Sequence, residues 1–414
     1  AIDAWCRLLE DHGSKSLNDI FSYAIDYARN GYPVHDRVAY DWALCKDMLS
    51  QDLGTAQAYL VSGKPPKAGS IHKQLELADT LEKIAAEGRD GFYRGVIAEE
   101  IVTHLKSLGG AHEIDDFSNT AGEYVTPIKT TYRGYEVHEC PPNGQGVIAL
   151  LMLNILNSME LDKLEPLSPE RLHLIIEAGR LAYKERDLLI SDPVQVDVPV
   201  EILLSDKYAS KLRQKIIPGK ATSRLPPEKI PHSDTVYLTV VDKDRNAVSF
   251  INSLFQSFGS GILAPKSGVI LQNRGLSFNL TPGHPNCIAP NKRPMHTIIP
   301  GMLTKDARAV MPFGVMGGHY QPFGHAYFLT NFLEYDLDLQ EAIDLPRLFP
   351  AIDGPLEVES GMPNNVVKKL QGMGHKIRAP IKPIGGAQAI FIDWQKGTLT
   401  SGSEPRKDGL ALGY

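Results

Sequence analysis

At Thr235 the apolar period of this chain changes from that of a helix to that of a strand. The stretch before it, residues 217–234, carries four prolines and no periodicity, so it is expected to be an exposed linker. After it, Thr235-Val-Tyr-Leu-Thr-Val-Val alternates as a strand does. Asp242–Asn246 has turn chemistry, and Ala247–Phe255 is β-branched and aromatic enough for a second strand. A hairpin that begins at a Pro-rich break cannot continue a helical bundle, so the chain must change architecture here.

Upstream the pattern is helical. Ser16 is placed to cap an amphipathic stripe from Leu17 to Ala28, which Gly31 and Pro33 end. Similar stripes span Leu75–Ala86, Phe92–Leu108, Val147–Met159 and Pro169–Leu188. Between the last two and the earlier ones, Tyr124–His138 contains a β-rich run broken at Gly134 like a hairpin. Downstream, strands are expected at Val269–Gln272, Thr297–Leu303 and Ala309–Phe313, with a last hairpin pairing Ala387–Asp393 with Thr398–Ser401. Helices are expected at His325–Tyr335, Leu339–Ile343 and Asn365–Gly372. Helix-rich then strand-rich halves predict a layered sandwich in which helices cover sheets.

Composition narrows the function classes. Of 414 residues, 43% are apolar and 22% charged, enough for a core without a disulfide or metal staple. The net charge of −6, with signs mixed, argues against a nucleic-acid partner, and no apolar stretch is long enough for a membrane span. Cys6, Cys45, Cys140 and Cys287 form no CxxC or Cys/His cluster, so neither a zinc site nor another metal or cofactor is expected. Reduced thiols and no visible signal peptide lead to an expectation of a cytoplasmic protein. The patterns of a P-loop, a zinc protease, a GxSxG nucleophile elbow and a GxGxxG dinucleotide fingerprint are absent. Glycines cluster at Gly314-Val-Met-Gly317-Gly318, which reads either as a tight turn or as backbone N–H groups aimed at an oxyanion. His284, His296, His319 and His325 by themselves name no mechanism.

Many ordered stretches resemble the γ-glutamyltranspeptidase family. In the second half these include Asp234–Asp244, Asn246-Ala-Val-Ser249, Phe258-Gly-Ser-Gly-Ile262, Pro290-Asn-Lys-Arg-Pro294, Met316-Gly-Gly318, Leu345-Pro-Arg347, Glu404-Pro-Arg406 and the terminal Gly413-Tyr414. In the first half, Tyr132–Val137, Pro141-Pro142 and Leu153–Leu156 match. The resemblance implies an α+β fold, the four-layer αββα sandwich of N-terminal-nucleophile hydrolases. Residues 1–234 would be a large-subunit portion and 235–414 a small subunit, interlocked in one structural domain. Strands of the family fold that precede the point matching Ala1 would be needed to complete the sheet.

The resemblance also implies roles. The precursor would cut itself between Asp234 and Thr235. The freed α-amine titrates at about 7.7–8.0 and can serve as general base for its own hydroxyl, which is otherwise a weak nucleophile. Ser253 stands where the family has a threonine bonded to the nucleophile. Gly317 and Gly318 match the oxyanion-hole glycines, and Thr297 matches a pocket serine.

Departures from the family pattern set the expected substrate. The Asn and Asp that bind the α-amino group of glutamate are replaced by Phe255 and Ser277, Arg274 stands where a Gln is usual, and His296 replaces a second pocket serine. A site without that carboxylate and with a guanidinium suits an acidic amide that lacks an α-amine. Arg274 or His296 would pair with its carboxylate. The lid loop is shortened at Leu280–Pro290, which favours hydrolysis over transfer. These traits resemble the transpeptidase-like branch that includes glutaryl-cephalosporin acylases and an oxamate amidohydrolase. The alternatives are a γ-glutamyltransferase or glutathione hydrolase, a glutaryl-type acylase, and an uncut, inactive relative. The expected partners are a small acidic amide and the chain's own two fragments as a heterodimer.

Overall fold

The computed structural model describes residues 1–222, 235–350 and 354–413. Asp234, most of the Pro-rich linker and Tyr414 lie outside the described residues. The chain divides into two compact units, Ala1–Tyr124 with Ser257–Asn273, and Val125–Gln256 with Arg274–Tyr414. The second unit therefore takes chain from both sides of Thr235.

The first unit is mainly helical. Its helices include Ile2–His12, Leu17–Asn30, Leu75–Glu87 and Val96–Ser107. Ser16 caps its helix as expected: its hydroxyl accepts from Asp19 N at 3.1 Å, and the Asp19 carboxylate accepts from Ser16 N at 3.2 Å. Gly31, at φ +95°, ends that helix. The stripe expected to be one helix from Phe92 to Leu108 is two, Arg89–Tyr93 and Val96–Ser107, because Gly95 adopts φ +71°, ψ −148° between them. The strand expected at Val269–Gln272 is only Val269–Ile270, paired with Leu263–Ala264.

The second unit is layered. Its main sheet has six strands in the order Thr398–Gly402, Gly386–Asp393, Arg308–Met316, Gly301–Lys305, Tyr135–Glu139 and Ile128–Tyr132. Every neighbouring pair is antiparallel. The hairpin expected around Gly134 turns through Arg133 at φ +48° and Gly134 at φ +81°. Helices Gly146–Leu156, Pro169–Leu189 and Gln321–Glu334 pack together beside this sheet. Gly146–Leu156 is buried at every position, which its apolar circumference requires.

The hairpin of Val236–Val241 and Ala247–Asn252 forms a separate pair that packs on the central strands. The fit is close: a Cβ at Gly314 would lie 2.3 Å from the Tyr237 ring. Tyr237 is buried, whereas Val236, Leu238 and Val240 point the other way and are exposed. Helices, main sheet and hairpin are three layers of an α+β sandwich in the described residues of this unit.

The strand expected from Thr297 begins only at Gly301. Its first residues spend their backbone groups on side chains instead of on a ladder: Thr297 O accepts from Gln145 Nε2 at 2.7 Å, and Ile299 N donates to Gln321 Oε1 at 3.0 Å. The Leu345-Pro-Arg347 and Glu404-Pro-Arg406 stretches, far apart in sequence, meet in the interior. Arg347 Nη2 donates to Glu404 Oε2 at 2.5 Å and Arg406 Nη1 to Glu404 Oε1 at 3.0 Å, while Ala387 N donates to Glu404 Oε2 at 2.8 Å.

Candidate active site

Thr235 stands directly before the strand Val236–Val241 and is buried at 8% exposure. Its hydroxyl donates to Ser253 Oγ at 3.3 Å. Ser253 follows the partner strand, whose register pairs Val236 with Asn252, so the hairpin itself brings the two hydroxyls together. Ser253 Oγ also accepts from Phe255 N at 2.9 Å. Phe255 holds φ +81°, a left-handed conformation that costs a bulky residue of order 1–3 kcal/mol. The tertiary surroundings offset that cost by burying its ring completely.

Arg274 lies over that ring, with its guanidinium carbon 5.3 Å from the centroid. Its Nη1 donates to Thr297 Oγ1 at 3.1 Å and its Nη2 to Ser253 O at 3.4 Å. Burial pulls Arg274 down to about 10, so it stays cationic at neutral pH. Burial, and then the neighbouring Arg274 charge, pull His296 down to about 3. His296 is therefore neutral, and its Nδ1 accepts from Ile298 N at 3.4 Å. Arg274 is thus the cation of the pair at neutral pH.

Gly317 and Gly318 end the central strand at φ +130° and φ +57°, conformations that favour glycine. Gln145 ties this turn to Thr297: its fully buried amide Nε2 donates to Thr297 O at 2.7 Å and to Gly318 O at 2.9 Å. Arg186 Nη1 in turn donates to Gln145 Oε1 at 3.2 Å and to His319 Nδ1 at 3.0 Å. His319 meets the edge of Phe255, with ring centroids 6.1 Å apart. A continuous set of contacts thus joins Thr235, Ser253, Phe255, Arg274, Thr297 and Gly318.

Ser277 lies three residues beyond Arg274. It closes the one-turn 3-10 helix Arg274–Ser277 and lines a cavity of about 210 Å³ with Arg186, Asn286 and Met295. Its hydroxyl is buried without a hydrogen-bond partner among the described residues. The short segment after it folds on itself: Asn279 pairs with Cys287, and Asn286 Nδ2 donates to Ser277 O at 2.6 Å.

Sequence reasoning missed Gln145, Arg186 and, as a member of the site, His319. His319 follows the glycine pair directly, and that adjacency was the available signal. Arg186 sits within the apolar stripe of a helix, where a buried cation is unusual enough to mark a network.

The chain is similar to known proteins over its whole length. A family model described as gamma-glutamyltranspeptidase matches residues 1–414. The glutathione hydrolase-like YwrD proenzyme of Bacillus subtilis (strain 168) is 38% identical over 422 residues, covering 100% of this chain and 79% of that protein. An oxamate amidohydrolase proenzyme of Klebsiella pneumoniae is 32% identical over 398 residues, covering 94% of this chain and 75% of that protein. A cephalosporin acylase from Bacillus halodurans superposes with a TM-score of 0.92 at 37% identity, over 100% of this chain and 78% of that one.

Proposed function

The chain belongs to the γ-glutamyltranspeptidase family and is a hydrolase of amide bonds with an N-terminal-nucleophile mechanism, and from that premise we propose that Thr235 is its nucleophile and that its substrate is a small acidic amide without an α-amino group, such as oxamate. The observation that carries the substrate reading is the position of Arg274. A buried cation, stacked on Phe255 and bonded to Ser253 and Thr297, stands one residue's contact from the Thr235 hydroxyl. A guanidinium held this way suits a carboxylate and repels an ammonium.

In this reading the chain first cuts itself before Thr235, which frees the α-amine. The amine takes the hydroxyl proton as Thr235 Oγ1 adds to the amide carbonyl. Backbone N–H groups of Gly317 and Gly318 hold the oxyanion that forms, and Ser253 orients the nucleophile. Collapse of the tetrahedral adduct breaks the C–N bond. The leaving nitrogen takes the proton back and departs as ammonia when the substrate is oxamate. Water then adds to the Thr235 ester, releases oxalate and restores the hydroxyl.

A longer dicarboxylic acyl group, such as glutaryl, is the second reading. It is favoured by the cavity beside Ser277, on the same helical turn as Arg274. An ammonia-release assay over oxamate, glutaramate and small neutral amides tests both readings, with aniline release from γ-glutamyl anilide as the amino-bearing comparison. Oxamate is expected to be turned over and the γ-glutamyl compound to be poor. Fast γ-glutamyl transfer to dipeptides would overturn the substrate reading and leave the nucleophile standing.

A further inference from the structure

Three donor side chains meet in the second unit, away from the residues discussed so far. His173 and Glu177 lie one turn apart on the helix Pro169–Leu189, so their side chains share a face. His375 follows the helix Asn364–Gly372 and a left-handed turn at Gly374, φ +99°. One donor atom from each of the three lies within 4.8 Å of the others, and all three residues are buried. The rings approach closely, with His173 Nδ1 2.9 Å from His375 Nε2.

The surrounding contacts orient these atoms as metal donors are oriented. His173 Nε2 lies 2.9 Å from Ile217 O. A proton donated to that carbonyl leaves the Nδ1 lone pair directed at the cluster, which is how backbone carbonyls fix ligating imidazoles. Glu177 Oε2 accepts from Thr222 N at 3.0 Å and from the Thr222 hydroxyl, and its Oε1 accepts from Arg180 Nη1 at 2.8 Å. His375 Nδ1 is buried without a hydrogen-bond partner among the described residues.

We propose that His173, Glu177 and His375 form a binding site for a zinc-class divalent ion. Two imidazole nitrogens and one carboxylate oxygen suit zinc, whereas calcium and magnesium favour oxygen donors alone. Zinc–nitrogen bonds of about 2.0–2.1 Å at tetrahedral angles place two ligating nitrogens roughly 3.3 Å apart. The rings, now 2.9 Å apart, need part by only a few tenths of an ångström. The proton shared between them stays on His375 by moving from Nε2 to Nδ1, and water fills the fourth position. Arg180 works against a second cation, so affinity below that of an all-cysteine structural site is expected. The ion would also fix Ile217 and Thr222, which belong to the first part of the Pro-rich stretch 217–234.

The test uses the full chain, stripped with a chelator, incubated with zinc sulfate, desalted and analysed for metal by mass spectrometry. Stoichiometric zinc and a zinc-dependent rise in melting temperature are expected. Glu177→Gln, which keeps an acceptor for Thr222, and His375→Ala should each lose both. Either variant suffices if the other does not fold. Wild-type protein that retains no zinc, or variants that retain as much as wild type, would overturn the site. Amide hydrolysis is not the readout, so this result and that of the substrate assay are independent.

Discussion

Thr235 directs its hydroxyl at that of Ser253 across 3.3 Å, and the carbonyl of the same Ser253 lies 3.4 Å from the Arg274 guanidinium. Two strands and a five-residue turn, closed by Asp242, hold the first contact. The second needs chain from beyond the hairpin, so the hydroxyl pair and the cation are expected to respond to different substitutions.

Ser253→Ala removes the partner of the candidate nucleophile. We expect kcat to fall roughly 10²-fold, with recovery in Ser253→Thr, measured as ammonia release. Thr235→Ala should remain one uncut chain by intact mass spectrometry, and fully active uncut protein would sink the mechanism. If the freed amine is the base, kcat/KM should rise with pH through about 7.7–8.0, because only the unprotonated amine can accept the hydroxyl proton.

Arg274→Ala should raise KM for an acidic amide about 10- to 100-fold, the equivalent of a charge-assisted hydrogen bond of about 1.5–3 kcal/mol. Arg274→Lys should not restore it, because a compact ammonium cannot span Ser253 O and Thr297 Oγ1 while stacking on Phe255. Unchanged KM in Arg274→Ala would assign the residue to structure alone.

Gln145→Leu fills the same space but leaves Thr297 O and Gly318 O without their shared donor. A cost of about 1–3 kcal/mol in stability is expected. Since the glycine turn is displaced as well, kcat should fall more than KM rises. A purely structural role for Gln145 would lower the melting temperature and leave the kcat of the folded enzyme unchanged.

Glu404 gives a pH prediction. Burial raises its pKa, but Arg347 and Arg406 outweigh that and hold the carboxylate below its usual 4.5. A depressed pKa stabilises the fold at pH above 4.5 and loses that contribution as pH falls through the folded value. Glu404→Gln should therefore cost about 3–5 kcal/mol near neutral pH, by leaving the buried Arg347 charge without its counter-ion. The difference from wild type in denaturant melts should shrink toward acid pH, and a constant difference would contradict the assignment.

Periodicity and turn chemistry made the hairpin at Thr235, the Gly134 turn, the capped helix after Ser16 and the helical cover of the sheet legible in the sequence. Those features depend on contacts between near neighbours along the chain. The Thr235–Ser253 pair was implied by the family resemblance, and strand register holds it in the fold. Gln145 and Arg186 were not legible, since neither carries a local pattern and their partners stand at Thr297, Gly318 and His319. His173 and His375 bond across 202 positions, which is why a search for metal spacings found nothing.

The sequence by itself determined which stretches form helices, which form strands, and that a strand follows Thr235, because backbone sterics and apolar spacing act over a few residues. Tertiary structure decided the surroundings of His296, the anchoring of Arg274 and the meeting of Arg347 with Glu404. Charge and hydrogen bonding inside a protein depend on what surrounds a group after water has been excluded, and only the folded chain supplies those surroundings.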